Sequence, residues 1–592
     1  MKELLRNCRR LILELYRVYP WLFWGMVATF VVVSGRAFLQ NLSAGLLVNH
    51  LLEVKAADGA LIGLLGFFVF SQTLPAWGHA VQDGLTKMVG LHVSERYHLK
   101  VIEKKGQMDL AVIEDPANND LFNKVDENVD RIQMFIERQF WIVQSVVEVA
   151  LAAAMIFYFS WWMLLVLVAL TVPQLLVEIK YSKRVWSIHG WHAEKRRRFW
   201  DYQGLFSKAS SLTEIKMFGN VTHFYRLMRG LLGEFRDEQR AAERRKLLLF
   251  LLAITVSQIG FAVAAVYFVG QVLSDEPDAL KVGGLLMVLA SVGDMRNSLS
   301  GLFSSLGRQF EDSLFMTDIF RFLELRNKLY VPFLPAQVVS DRTPKIEFQG
   351  VYFAYPNSPN DVLKDFNLVI EPGEKVAIVG LNGAGKTTII KLLCRFYDPD
   401  EGSILIDGTD LRLIDINSWR AQLGVLFQEF TTYRMRANES IALGDTTTDF
   451  DPTRMYKAAM QSDADGFIRE WPERYHQQIG KEFAGGTEPS GGQKQKLALA
   501  RVYYRQPNVL VLDEPTAAVD AEAEQRIFDR LNSWPDTKTV IFVSHRFSTV
   551  RQARRVVVVK DGQVTEDGPH KKLVRGRRDY ARLFRTQAEG YK

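Results

Sequence analysis

Gly380-Leu381-Asn382-Gly383-Ala384-Gly385-Lys386-Thr387 is the stretch on which the reading of this chain turns. An apolar, strand-like run, Lys375 to Val379, leads into it, and a helix-like run from Thr388 to Cys394 follows. Strand, glycine loop and helix in that order let backbone N–H groups wrap a polyphosphate. Gly380, Asn382, Gly383, Ala384 and Gly385 form the wrap, and the helix opening at Thr388 turns its positive end toward the same charge. Lys386 is placed to reach the terminal phosphates, and the Thr387 hydroxyl to ligate Mg²⁺. The bland alternative, a glycine-rich surface turn, explains neither the flanking elements nor the Lys-Thr pair.

Two further runs bear on the same chemistry. Asn508-Val509-Leu510-Val511-Leu512-Asp513-Glu514 reads as a strand buried on both faces that ends in two carboxylates. Asp513 is placed to hold Mg²⁺, and Glu514 to orient or deprotonate an attacking water. Val540-Ile541-Phe542-Val543 reads as a second such strand. His545 just beyond it falls at the carboxyl edge of the sheet, where ligands of open α/β folds bind, and is assigned to the γ-phosphate. Ser490-Gly491-Gly492-Gln493 opens a run of strong helix formers, which makes a second anion-binding helix start. One nucleotide does not need both.

The rest of the chain is of a different kind. Its 592 residues suggest several domains at about 150 residues each, and a mean hydropathy of −0.03 averages two unlike halves. Apolar stretches of about 20 residues, the length that crosses a bilayer, occur near 21–49, 59–82, 138–160, 162–182, 247–273 and 280–305. The second is interrupted by Gln72, Pro75 and His79. The first reads as a retained membrane helix rather than a cleaved leader. The net charge of +6 comes with basic residues clustered beside these runs, as at Arg6, Arg9, Arg10 and Arg17. Cytoplasmic loop bias accounts for that more simply than nucleic-acid binding does. It places the N-terminus and the C-terminal half together on the cytoplasmic side; with no organelle-targeting stretch in view, a plasma or inner membrane is the expected location. Cys8 and Cys394, the only cysteines, imply neither a disulfide nor a metal site.

The polar excursions 83–137 and 183–246 are expected to be helical extensions, each turned by a short crosswise helix at its tip. The first tip is expected at Glu114–Asp120. The second is expected at Ser211–Gly219, with an apolar face of Leu212, Ile215, Met217 and Phe218 suited to a partner's groove. Arg36, Glu148, Asp294 and Arg296 fall inside apolar spans. They either line a translocation cavity, pair between helices or snorkel.

Phosphate loop, Ser490-Gly491-Gly492-Gln493 signature, Asp513-Glu514 strand and His545 occur together in the order of one family. Over nearly its whole length the chain resembles an ATP-binding-cassette (ABC) transporter of the exporter type, a half-transporter with a membrane half fused ahead of one nucleotide-binding half. The resemblance implies an all-α six-helix membrane domain at 1–325, a linker at 326–344, and an α/β ATPase domain at 345–592. It implies that Tyr355 stacks on adenine, that Gln428 senses Mg²⁺ and the attacking water, and that Asp520 lies where two cassettes meet. It also explains the two anion sites, because the signature of one subunit closes over the ATP held by the other. The partner is then a second copy, or alternatively a different half-transporter. Pro489 departs from the family, which has leucine there; proline before a helix leaves the serine and glycine contacts possible. The expected activity is ATP-driven export of a hydrophobic or amphipathic substrate through a lipid membrane. Import of a small chelate and ATP-gated conduction are the alternatives.

Overall fold

A computed structural model describes residues 2–592 except 55–57, 174–175, 178–192, 275–279, 339–341, 516–524, 527–528, 530, 532–533, 545–549, 552, 577 and 590–592. The chain divides into two compact units. One comprises Met1–Gln107 with Asp120–Leu325, the other Met108–Asn119 with Arg326–Lys592.

The first unit is helical. Its elements are α1 (Lys2–Val18), α2 (Pro20–Ser34), α3 (Arg36–Val54), α4 (Gly59–Gln107) and, after the short helix α5 (Leu110–Ile113) of the second unit, α6 (Pro116–Asn128, shared at its start) and α7 (Arg131–Phe159). They continue with α8 (Trp161–Pro173), α9 (Ala193–Ser207), α10 (Ala209–Met217), α11 (Val221–Val272) and α12 (Val282–Leu323). Among the described residues Pro20–Glu53, Gly59–Gln107, Arg131–Phe159 and Val221–Val272 are long and apolar enough to cross a membrane. The fourth expected span is described only in part, as α8 and residues 176–177. The sixth, 280–305, lies in α12 but falls short of that apolarity, because Asp294, Arg296 and several Ser and Gly residues dilute it. α12 packs on α7 and α3 instead of presenting a uniformly apolar surface. Its contact with α3 is close: a Cβ on Gly283 would lie 2.0 Å from the Gly45 carbonyl oxygen.

Three of the four intramembrane charges meet a partner on another helix. Asp294 Oδ2 accepts from Asn41 Nδ2 at 2.7 Å, joining α12 to α3. Glu148 accepts from Ser298 at 2.8 Å and from Gln144 at 2.8 Å, and Gln144 in turn accepts from Gln82 at 3.2 Å, so α4, α7 and α12 share one polar chain. Arg36 meets His79 and Gln40, each at 3.4 Å, and Arg296 meets its neighbour Asn297 at 3.2 Å.

The second unit carries two sheets. β1 (Ile346–Phe353), β2 (Leu363–Ile370), β4 (Glu401–Ile406) and β5 (Thr409–Asp410) form an antiparallel sheet in the order β2-β1-β4-β5. The second sheet runs β10-β9-β3-β8-β7-β6, with β3 (Lys375–Val379), β6 (Leu423–Leu426), β7 (Val509–Asp513), β8 (Thr539–Val543), β9 (Arg555–Lys560) and β10 (Gln563–Gly568). All its neighbours are parallel except β9 and β10. The strands β3, β7 and β8 are buried at every position, as continuous Val/Ile/Leu runs require. Alternate residues feed two cores. Ala377, Leu510, Leu512, Val540 and Phe542 join the helix Gly491–Tyr504, while Val376, Ile378, Val509, Val511 and Ile541 join α13 (Lys386–Leu393). Each fully buried Val, Leu or Ile contributes about 1.5–3 kcal/mol, so this double-sided burial fixes strand register firmly. Because β3, β6, β7 and β8 are parallel, the residues following them gather on one edge.

Candidate active site

That edge collects the phosphate loop after β3, Gln428 after β6, Asp513 and Glu514 at the end of β7, and Ser544 after β8. In the loop, Gly383 and Gly385 take positive φ of 81° and 100°, which β-carbon-bearing residues resist. Gly380 is needed for a different reason: a Cβ there would stand 2.3 Å from the Val559 carbonyl oxygen. The ammonium of Lys386 spans the loop and donates to the Gly380 and Leu381 carbonyls, each at 2.9 Å. Burial lowers the Lys386 pKa, and the charges of Glu514 and Asp513 oppose that shift.

Thr387 Oγ1 donates to Asp513 Oδ2 at 3.0 Å. The two oxygens assigned to Mg²⁺ are therefore neighbours, and hydroxyl and carboxylate oxygens are the donors this hard cation takes. Burial pushes the Asp513 carboxyl above its ordinary range; the Thr387 hydrogen bond opposes this and the charge of Glu514 adds to it. Gln428 Nε2 donates to Glu514 Oε2 at 3.1 Å, so the two residues assigned to the attacking water touch directly. Glu514 sits at φ 51°, an uncommon conformation for a residue with a Cβ, held by its N–H donating to Val543 O at 3.0 Å.

Ser490 opens the helix Gly491–Tyr504 through a reciprocal cap: its Oγ accepts from Gln493 N–H at 3.3 Å and its own N–H donates to Gln493 Oε1 at 2.9 Å. Gly491 and Gly492 form its first turn. Pro489 precedes the cap and leaves it intact. Gln495 of the same helix donates to the Glu514 carbonyl at 3.4 Å, a link from this helix to the end of β7 that no sequence pattern signalled. Tyr355 is half-buried, with its hydroxyl 3.1 Å from Thr388 Oγ1. His545 and Asp520 lie outside the described residues.

The first tip differs from expectation. A short helix that was not expected, α5 at Leu110–Ile113, comes first, and Glu114–Asp120 leads into α6, because Pro116 suits a first helical turn and Asp115 Oδ1 accepts from Ala117 N–H at 3.0 Å. The second tip is helical as expected at α10, with Met217 and Phe218 strongly exposed.

Residues 363–517 match the family model described as ABC transporter, and residues 22–189 match the one described as ABC transporter transmembrane region. The chain belongs to the ABC transporters. It is 28% identical to the subtilin transport ATP-binding protein SpaT of Bacillus subtilis over 541 residues, 89% of this chain and 86% of that protein. Against the nisin transport ATP-binding protein NisT of Lactococcus lactis subsp. lactis it is 25% identical over 555 residues, 93% of this chain and 92% of that protein. The human mitochondrial potassium channel ATP-binding subunit is 43% identical over 245 residues, which are 41% of this chain but only 33% of that protein. A solved bacterial Atm1-family ABC exporter with ATP bound superposes at TM-score 0.83 with 21% identity, covering 97% of this chain and 100% of that one. The fold is thus the exporter-type one, a helical membrane domain followed by an α/β ATPase domain, as the sequence resemblance implied. This ABC transporter hydrolyses ATP in support of transport, and its single cassette implies dimerisation.

Proposed function

We infer that this ABC transporter exports, or flips, a hydrophobic or amphipathic substrate by alternating access, with ATP hydrolysed at two sites shared between two copies. The observation that carries the reading is the contact of Gln428 with Glu514 beside the Thr387–Asp513 pair, all on the edge that the phosphate loop occupies. SpaT and NisT, transport proteins matched along most of their length, support a transport role. The outward direction rests on likeness of fold to an exporter.

The backbone of Gly380–Gly385 with Thr388 cradles the phosphates, Lys386 neutralises the terminal ones, and Tyr355 carries adenine. Thr387 and Asp513, with Gln428, hold Mg²⁺, which supplies charge neutralisation on the phosphate oxygens. Glu514 accepts the proton of the attacking water, Gln428 orients that water, and His545 contacts the γ-phosphate. Ser490, Gly491, Gly492 and Gln493 close over the partner's nucleotide, with Asp520 at the cassette interface. Positioning and charge stabilisation carry most of the rate. A homodimer in the plasma or inner membrane, cassettes cytoplasmic, is the simplest assembly.

ATP-dependent flux into inside-out vesicles tests the reading, with substrates first screened by stimulation of ATPase activity in lipid nanodiscs. Accumulation that stops with Glu514→Gln is expected. Flux of the opposite sense indicates import, and ion current outlasting ATP turnover indicates a gated pore.

A further inference from the structure

The tip 108–119, which belongs to the same compact unit as the cassette, is fastened by three acidic residues, Asp109 to the linker and Glu114 and Asp115 to the cassette. Asp109 Oδ2 accepts from the backbone N–H groups of Lys328 and Leu329 at 2.7 and 2.8 Å. Asp115 accepts from Lys328 Nζ and from Asn357 Nδ2, each at 2.9 Å, and Asn357 lies two residues beyond Tyr355. Glu114 receives Lys391 Nζ at 3.0 Å and the hydroxyl of Tyr397.

The partners of Glu114 enclose Tyr355. Lys391 Nζ stands 5.2 Å from the Tyr355 ring centroid. The Tyr397 ring meets Tyr355 edge-on, with centroids 5.5 Å apart at 88°, and Phe353 meets it at 5.2 Å and 78°. The Tyr355 hydroxyl is held by Thr388. An ammonium beside an aromatic ring draws on its electron density, and an electron-poor ring is the better platform for an electron-rich purine. Lys391 stays beside the ring while Glu114 holds it, and the half-exposed pair is supplemented by the Tyr397 hydrogen bond.

We propose that Glu114 is a positioning residue for the base subsite: through Lys391 and Tyr397 it sets the place and the electronics of the Tyr355 ring, and so tunes affinity for the nucleotide's purine. This rests on the reading of Tyr355 as the adenine platform. Glu114 touches neither phosphate nor attacking water in this scheme, so its effect belongs to base binding alone. Coupling of this kind is reciprocal, and a bound purine in turn steadies the tip.

Steady-state ATPase kinetics of the full chain in lipid nanodiscs, with inorganic tripolyphosphate as a base-free competitive inhibitor, test the proposal. Glu114→Gln is expected to raise the KM for ATP about fivefold, the lower end of ordinary intersite coupling. The inhibition constant of tripolyphosphate should stay where it was, and kcat should hold within about twofold. Tyr397→Phe, which keeps the ring and loses only the hydroxyl, should shift KM in the same direction by less. The exchange Glu114→Lys with Lys391→Glu restores the ion pair but sets a carboxylate beside the Tyr355 ring, so it should leave the KM for ATP raised. An unchanged KM in Glu114→Gln overturns the proposal, as does a parallel weakening of tripolyphosphate, which would mark general damage to the phosphate loop. Tyr355→Ala separates the two readings. If it leaves the KM for ATP unaltered, the adenine platform itself is wrong; if it raises KM while Glu114→Gln does not, only the positioning role falls.

Discussion

The Glu514 carboxylate ends a fully buried strand, in a left-handed backbone conformation, with Gln428 on one oxygen. That placement predicts a separation of binding from chemistry. Glu514→Gln should bind ATP with parental affinity while turnover drops about 10²–10⁴-fold, the usual worth of a positioned general base; nucleotide binding and phosphate release, measured on the same sample, check it. Asp513 carries the opposite lesson about stability. Its carboxyl is raised by burial, so the folded state disfavours the charged form. The penalty is absent below the unfolded carboxylate range, about 3.9, and grows as pH rises through the higher folded value. Asp513→Asn should therefore unfold at a higher temperature than the parent near pH 7, lose that advantage in acid, and have no Mg²⁺-dependent ATPase. Thermal melts at several pH values, with an activity assay, read both effects. These residues were legible in sequence because each lies within a few positions of a glycine loop or at the end of an apolar run. The contact of Gln428 with Glu514 was not, since it joins positions 86 apart through a strand order that local pattern does not encode.

Among the elements, the helix Gly491–Tyr504 does two jobs at one residue. Ser490 was read as part of an anion site, and the structure uses its side chain to cap the helix. Substitutions separate the jobs. Ser490→Ala should cost the cassette about 1 kcal/mol, the ordinary value of a lost cap. Ser490→Asp keeps an acceptor for the Gln493 N–H and should retain most of that stability, yet it places negative charge where a partner's phosphate is to dock, so ATPase activity should collapse. Denaturant melts and turnover compared across both variants decide the matter; equal activity in Ser490→Asp and parent would remove the anion role. Element boundaries were less legible than element types. In the first excursion a helix does start at Pro116, within the expected tip, as proline at a first helical turn allows. The short helix before it, Leu110–Ile113, where apolar Ala111 and Val112 are buried, had no such mark. Likewise the sequence marked Glu148 and Asp294 as charges inside apolar runs, while their pairing with Ser298 and Asn41 required the packing of three helices.

For the whole molecule, the phosphate loop and the Ser490-Gly491-Gly492-Gln493 stretch open two different helices, α13 and Gly491–Tyr504, each proposed above to face a phosphate. If every ATP is clamped between Lys386 of one copy and Ser490 of its partner, damage to either residue disables both sites of a homodimer. Mixing the two kinds of damage does not. A heterodimer of Lys386→Ala with Ser490→Arg has one site carrying both lesions and one site carrying neither. Random pairing makes half of the dimers mixed, and each of these has one of two sites intact, so activity should return to about a quarter of the parental value when the sites act independently. Two tags with sequential affinity purification isolate the mixed dimers and mass measurement of the detergent-solubilised complex verifies them; ATPase activity in nanodiscs is the readout, about a quarter of parental in the unsorted mixture and about half in the isolated mixed dimers. Either variant alone should be inactive. Recovery in the mixed dimer can arise only if the loop and the signature that serve one nucleotide come from different chains. Mixed dimers without any recovered turnover, or a monomeric fraction hydrolysing ATP at the parental rate, would sink the shared-site arrangement while leaving the assignment of the phosphate loop untouched.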